Sequence, residues 1–371
     1  MNPHVPISRR SWLALTASAL AGCGGGGGLA LLPGTGGTGI FAQGAIAGFG
    51  SVIVNGTRFD DTGAAVHIDG IAATPLDLRL GMVAGVQGQR DAATALAFAK
   101  DIEVWSIAQG PVTQVQSGQF LVAGMTIQTG TATVFDGIAS ASALAPGQAV
   151  TVWGLQAGAD GSHWVATRVA VLPTAVSKLV SSGLVTSQRT MNGFALRGTV
   201  AASLLPGQLV RAKGTFADGG LQVDEFKVLA LPLESGTQHE IEVEGVVTQV
   251  LSATRFMLGN VEVDSSGAPA PATPIAAGQR IEVYGVLQGQ VLKASSLMFE
   301  TEESLDEADI EGTIEQFTSL ANFVVRGQRC DASGALITRG RAADLRVGVR
   351  VKMNGTKSGN VLLVTTLSLG D

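Results

Sequence analysis

One spacing constrains this chain more than any other feature. The pattern Gly-x-x-apolar-x-apolar-x-Gly occurs five times, at Gly81 to Gly88, Gly147 to Gly154, Gly207 to Gly214, Gly278 to Gly285 and Gly348 to Gly355. The inner apolar pairs are Ala84/Val86, Val150/Val152, Val210/Ala212, Ile281/Val283 and Val351/Met353. Residues between and after them include Thr151 and Trp153, Arg211 and Lys213, Glu282 and Tyr284, and Lys352 and Asn354. Alternation with period two marks a strand with one face in a core. The first glycine of each pattern suits a tight turn at positive φ. The second suits a bulge or sharp bend, as at a barrel corner.

A second phrase precedes the first: a glycine, apolar residues, a short turn and a phenylalanine-bearing strand. It runs Gly110 to Phe120, Gly183 to Phe194, Gly245 to Phe256 and Gly312 to Phe323, with a shorter version starting near Gly44. The starts at 44, 110, 183, 245 and 312 are 62 to 73 residues apart. Each copy offers about five short strands and no long helix. A sheet that small leaves edges open to aggregation unless it closes on itself. The expected fold is therefore all-β: five tandem small OB-like (Greek-key) β-barrels. An SH3-like barrel or a pair of merged sandwiches is the alternative; the period is too long for a β-solenoid. Asn55-Gly56, Asn192-Gly193 and Asn354-Gly355 read as tight hairpin turns. In the third copy the two marker glycines, Gly183 and Gly207, are 24 residues apart, against 33 to 37 elsewhere. That copy is expected to lack about a hairpin and to lean on a neighbour.

The N-terminus has a different character. Arg9 and Arg10 form a positive region before a short apolar run, Trp12 to Ala21, too short to cross a bilayer and suited to a signal peptide. Ser8 to Leu13 also resembles a twin-arginine export signal. Leu20, Ala21, Gly22 and Cys23 resemble the lipobox of bacterial lipoproteins, in which the signal is cut before a cysteine that carries the lipid. Several acyl chains on one cysteine anchor a protein stably. Gly24, rather than aspartate, follows that cysteine, which by the same resemblance implies the outer membrane. Gly24 to Gly28 open a flexible glycine-rich tether. The GxGxxG match from Gly34 to Gly39 lies within it and lacks the strand and helix of a dinucleotide site. The expected organisation is signal peptide 1–22, lipidated cysteine and tether 23–43, barrels at 44–107, 108–175, 176–233 and 240–300, an acidic linker at 301–311 and a final barrel at 312–371.

Lipobox, glycine tether, Gly-x-Val openings and Gly-x-x-Val-x-Val-x-Gly strands together resemble bacterial proteins with domain of unknown function 5666. The resemblance extends over about residues 44 to 371 and is weakest in the third copy. It implies an exported β-barrel protein, often a lipoprotein, and brings no catalytic or binding residues with it.

Little in the chain points to chemistry. Charged residues are 15% and the net charge is −6, which does not favour a nucleic-acid partner. His67, His163 and His239 fall in different copies, with no HxH, HExxH or paired cysteine to hold a metal. Cys330 follows Gly327 by three residues, as Ile127 follows Gly124 and Phe59 follows Gly56, so it reads as a buried core thiol. The acidic run from Glu300 to Gly312 lacks the pattern of a calcium loop and reads as a solvated linker. Trp105, Trp153, Trp164 and Tyr284 are the aromatic residues of note. Trp153 and Tyr284 share one repeat position on the outward side of the strand. There they are candidate partner-binding residues, or they pack on a neighbouring barrel. The expected function is a lipid-anchored, non-catalytic envelope protein, without cofactor or metal, presenting its barrels to protein or polysaccharide partners. The alternative is a module that holds a small ligand, glycan or divalent metal on a barrel face or in a groove between barrels.

Overall fold

The computed structural model describes residues 38–91, 93–94, 96–231, 240–301 and 306–370. Its strands fall into five successive sets. The first comprises β1 (Thr38–Gly48), β2 (Val52–Val54), β3 (Thr57–Asp60), β4 (Ala65–Ile68), β5 (Ile71–Ala73), β6 (Val83–Arg90) and β7 (Ala97–Val104). The second comprises β8 (Ala108–Gln116), β9 (Gln119–Val122), β10 (Met125–Gln128), β11 (Val134–Asp136), β12 (Ala149–Gln156) and β13 (His163–Val171). The third is β14 (Leu179–Leu184), β15 (Thr190–Met191), β16 (Phe194–Arg197), β17 (Leu209–Ala217) and β18 (Gly220–Val228). The fourth is β19 (Glu240–Val250), β20 (Arg255–Leu258), β21 (Val261–Asp264), β22 (Arg280–Gln288) and β23 (Val291–Phe299). The fifth is β24 (Glu307–Ser319), β25 (Asn322–Val325), β26 (Gln328–Asp331), β27 (Leu336–Arg339), β28 (Arg350–Ser358) and β29 (Val361–Leu369).

In the first set the ring runs β1–β2–β3–β7–β6 and back to β1, with β3 and β7 parallel and every other junction antiparallel. The second, fourth and fifth sets close in the same order. Closure leaves these small sheets without a free edge. The third set stays open. β14 pairs with β17, while no ladder joins β14 to the two-residue β15. The third set, like the fourth, lacks the extra strand that β4, β11 and β27 add beside the last strand of their barrels. Its open side leans on the second barrel. Ser181 Oγ donates to the Ala123 carbonyl and Ser182 Oγ to that of Ile107, both at 2.8 Å.

The recurrent glycines have two distinct jobs. The first of each pair has φ between 77° and 89° and donates its N–H to the first strand of its own set, or in the third set to the residue just after it, from Gly81 to Ile46, Gly147 to Val112, Gly207 to Val185, Gly278 to Val247 and Gly348 to Ile314. The second sits at a β-bulge in the fourth barrel strand in all five sets. A Cβ there would lie 1.9 to 2.4 Å from a carbonyl oxygen of the last strand. Asn55-Gly56 and Asn192-Gly193 form left-handed turns with both φ values positive, as type I′ hairpins require. Asn354-Gly355 is no turn; it is the bulge inside β28. Ala123-Gly124, Gly259-Asn260 and Arg326-Gly327 occupy the turns equivalent to Asn55-Gly56 in their sets.

The barrels do not form an extended string. The first set lies at the centre, and its first strand is shared. Residues Ile40 to Gln43 of β1 pair in parallel with Glu240 to Val243 of β19. Ile40 and Ala42 face the first core, while Phe41 points the other way and completes the core of the fourth barrel. So residues 38–43, expected as tether, are structural. Farther along, Phe49 N–H donates to the Asp309 carbonyl and Glu311 N–H to that of Phe49, each within 2.9 Å. Residues 307–311, expected as solvated linker, thereby begin β24, and the apolar clusters of the first and fifth barrels merge. The second barrel docks through Arg168, which donates to the Leu80 carbonyl and to Asp136.

Gly81 tests that docking. It alone among the five turn glycines is crowded: a Cβ would meet the Thr167 carbonyl oxygen at 2.4 Å, while Gly147, Gly207, Gly278 and Gly348 face open space. Gly147→Ala is expected to cost about 1–2 kcal/mol, the penalty of a left-handed alanine. Gly81→Ala should cost a further 1–3 kcal/mol or so from overpacking. Denaturant midpoints of the two variants measure the difference.

Candidate binding cavity between the barrels

A cavity of about 340 Å³ lies where the first four sets meet. Four glycines, Gly85, Gly154, Gly245 and Gly259, line it. Phe41 of β1, Leu155 of β12, Val243 of β19 and Leu258 of β20 supply an apolar interior. Its size falls in the usual range for small-molecule sites.

The polar groups divide by what they already hold. Glu244 Oε2 accepts the Ala45 N–H at 2.8 Å and Oε1 accepts Arg280 Nε at 2.7 Å, so this buried carboxylate is satisfied. At the outer side, Glu103 accepts Trp105 Nε1–H at 3.0 Å and pairs with Lys227. Burial pushes the Glu103 carboxyl up, but the hydrogen bonds from Lys227 and Trp105 outweigh it and hold the group below its ordinary range. The Lys227 ammonium stands 4.3 Å from the Trp105 ring centroid and the Arg211 guanidinium 5.3 Å from it. Arg211, only 3% exposed, donates to the Ser106 carbonyl at 2.6 Å and pairs with Asp69 at 2.9 Å, locking the third set to the first.

Two groups are different. Gln156, at the end of β12 and 7% exposed, donates Nε2–H to the Gly158 carbonyl at 2.9 Å. That bond fixes which way the amide faces, and leaves Oε1 buried with no hydrogen-bond partner. A buried acceptor without a donor costs about 1–3 kcal/mol. Asp101, partly buried on β7, lines the same cavity and makes no side-chain hydrogen bond or ion pair among the described residues.

The residues singled out in the sequence sit elsewhere, with three exceptions. His67, Trp105 and Trp164 line the cavity, and Trp164 Nε1–H donates to the Gly161 carbonyl. Trp153 is 6% exposed and packs into the cluster of the first and fifth barrels. Tyr284 is partly buried, with its hydroxyl 3.0 Å from the Asn55 carbonyl oxygen and 2.9 Å from Glu282 Oε2. Both lie in seams between barrels, so they offer no exposed aromatic stripe; their second reading, packing on a neighbouring barrel, is what is observed. Arg9, Arg10, Leu20, Ala21, Gly22 and Cys23 lie outside the described residues. Among the described residues no group of three or more His, Cys, Asp or Glu is placed to hold a metal ion.

Cys330 is 1% exposed, and burial pushes its thiol up to about 12. Since the thiolate is the reactive form, iodoacetamide at pH 8 is expected to leave Cys330 unmodified in the folded protein and to label it fully in denaturant. Labelling at equal rates in the two states would contradict that placement.

The site is thus a partly apolar cavity enclosed by small β-barrels, with one unpartnered buried acceptor. The sequence profile of the family described as Domain of unknown function (DUF5666) matches residues 109–170 and 233–297, which cover the second and fourth barrels. The two matched segments are the barrels that contribute Gln156 and Glu244 to the cavity. No curated protein matches the chain.

Proposed function

We propose that the protein is an exported, lipid-anchored, non-catalytic binding protein of the bacterial envelope, whose ligand is a small molecule held between the barrels. The observation that carries the binding half is Gln156: a nine-tenths buried amide in the lining of a cavity of ligand size, oriented by Gly158, whose oxygen meets no donor. The burial of Trp153 weighs against a display of barrel faces to a large partner. The envelope half rests on Arg9, Arg10 and the Leu20 to Cys23 lipobox, with the outer membrane favoured by Gly24.

Two experiments separate the halves. Mass spectrometry of the N-terminal peptide of the mature protein should find an acylated Cys23, and Cys23→Ala should release the protein from membranes. An unmodified cysteine in a soluble protein sinks the anchor. Native mass spectrometry of protein extracted gently from its own envelope should show one stoichiometric small-molecule adduct that Gln156→Leu loses. Protein with no adduct, cross-linked reproducibly to one envelope protein, favours the scaffold reading instead.

A further inference from the structure

The cavity's chemistry narrows the ligand. We propose that it accepts a small amphiphilic amine, with a protonated nitrogen held by Gln156 and Asp101 and an apolar body against Phe41 and Leu155. This rests on the binding reading above and goes one step past it.

The step follows from which donors and acceptors are already committed. Gln156 Oε1 can only accept, because Nε2 faces Gly158. Asp101, whose carboxylate has no partner among the described residues, lines the same cavity. The cationic donors beside them are occupied: Lys227 by Glu103, and Arg280, behind the wall, by Glu244. An anionic ligand would find no free cation and would meet Asp101. The lining itself holds three carboxylates, Asp101, Glu103 and Glu244, against one ammonium, Lys227, a formal charge of −2 over these four groups. Counting Arg280 with its partner Glu244 still leaves −1. A ligand that brings donors and positive charge satisfies both idle acceptors; one that brings acceptors satisfies neither. The apolar walls formed by Phe41, Leu155, Val243 and Leu258 then favour a hydrocarbon or aromatic body over a polyhydroxylated one.

Three probes of nearly equal size test the class on the full chain: 2-phenylethylamine, 2-phenylethanol and 3-phenylpropionate, with glucose as a fourth. Calorimetry gives the affinities, and fluorescence follows Trp105 and Trp164. The amine should bind saturably at one site, at least tenfold tighter than the alcohol, with no binding of the propionate or glucose. Gln156→Leu should weaken the amine about tenfold. Asp101→Asn, a same-shape change at a partly exposed residue with no side-chain partner among the described residues, should weaken it by a similar factor with an unchanged melting temperature. Saturable binding of propionate or glucose that Gln156→Leu abolishes overturns the amine class while leaving the cavity as a binding site. An amine that does not bind, or binds equally to wild type and both variants, overturns the inference, and the adduct experiment above decides the cavity separately.

Discussion

Gly285→Ala and Gly355→Ala are each expected to destabilise the protein by at least about 3 kcal/mol, enough to make expression largely insoluble against a typical total stability of roughly 5–15 kcal/mol. An added methyl would sit 2.1 Å from the Lys293 carbonyl oxygen in the first case and 2.2 Å from that of Leu363 in the second. Those oxygens belong to the last strand, which pairs with the fourth on one side and with the third on the other. A strand held on both edges of a closed ring cannot move aside, as the end of a flexible side chain can. The same clash recurs at Gly88, Gly154 and Gly214, at 2.1, 2.4 and 1.9 Å. Urea unfolding of soluble variants, or the soluble fraction where none survives, measures the effect. Alanine at either position costing no more than Gly147→Ala would show that the bulges are not what closes the barrels.

A second large effect concerns pH. Glu242, 1% exposed in the seam between the first and fourth barrels, has its carboxyl pushed up to about 7 by burial. Hydrogen bonding from Thr57 and the charge of Arg90 pull it down, and Glu240 pushes it up, but burial prevails. Its Oε1 accepts from Thr57 and Arg90, while Oε2 is buried without a partner, as is Asn55 Oδ1. The folded state therefore holds this proton more tightly than the unfolded chain. The resulting stability is fully present below about pH 4.5, the unfolded value, and is lost as pH rises through about 7. The loss approaches roughly 3 kcal/mol at most. Glu242→Gln keeps the shape and removes the titration. The variant is expected to match the wild type near pH 4.5 and to exceed it by about 2–3 kcal/mol at pH 8. Taking the difference between the two proteins cancels the other carboxylates. A constant difference from pH 5 to 8 would mean that Glu242 is ionised throughout.

The sequence made the inside of each barrel legible, and its surroundings much less so. Spacing alone located the turn glycines, the bulge glycines and the core position of Cys330, because each obeys local rules of φ, bulge geometry and alternation. Alternation says which side chains leave a barrel's core; it does not say that they reach water. β28 keeps the clean pattern, with Arg350 and Lys352 exposed between buried neighbours. β12 is buried at all eight positions because other barrels cover its outer face. Trp153, Tyr284 and Arg211 were outward by pattern and are buried or half-buried by packing. Phe41 lay hidden in what read as tether, although Ile40-Phe41-Ala42 already carried strand-like residues after the last glycines. The cavity could not be read at all: its residues come from four sets, up to 220 positions apart from Phe41 to Val261, and converge only through docking.

The seams and the cavity depend on that docking, and small-angle scattering tests it most directly. A cluster built around the first barrel should give a radius of gyration near 20 Å for the barrel region, the value for a compact chain of this length. A string of separate barrels would exceed about 30 Å. The first result keeps the seams and the cavity they enclose; the second would leave five small folds with no site between them.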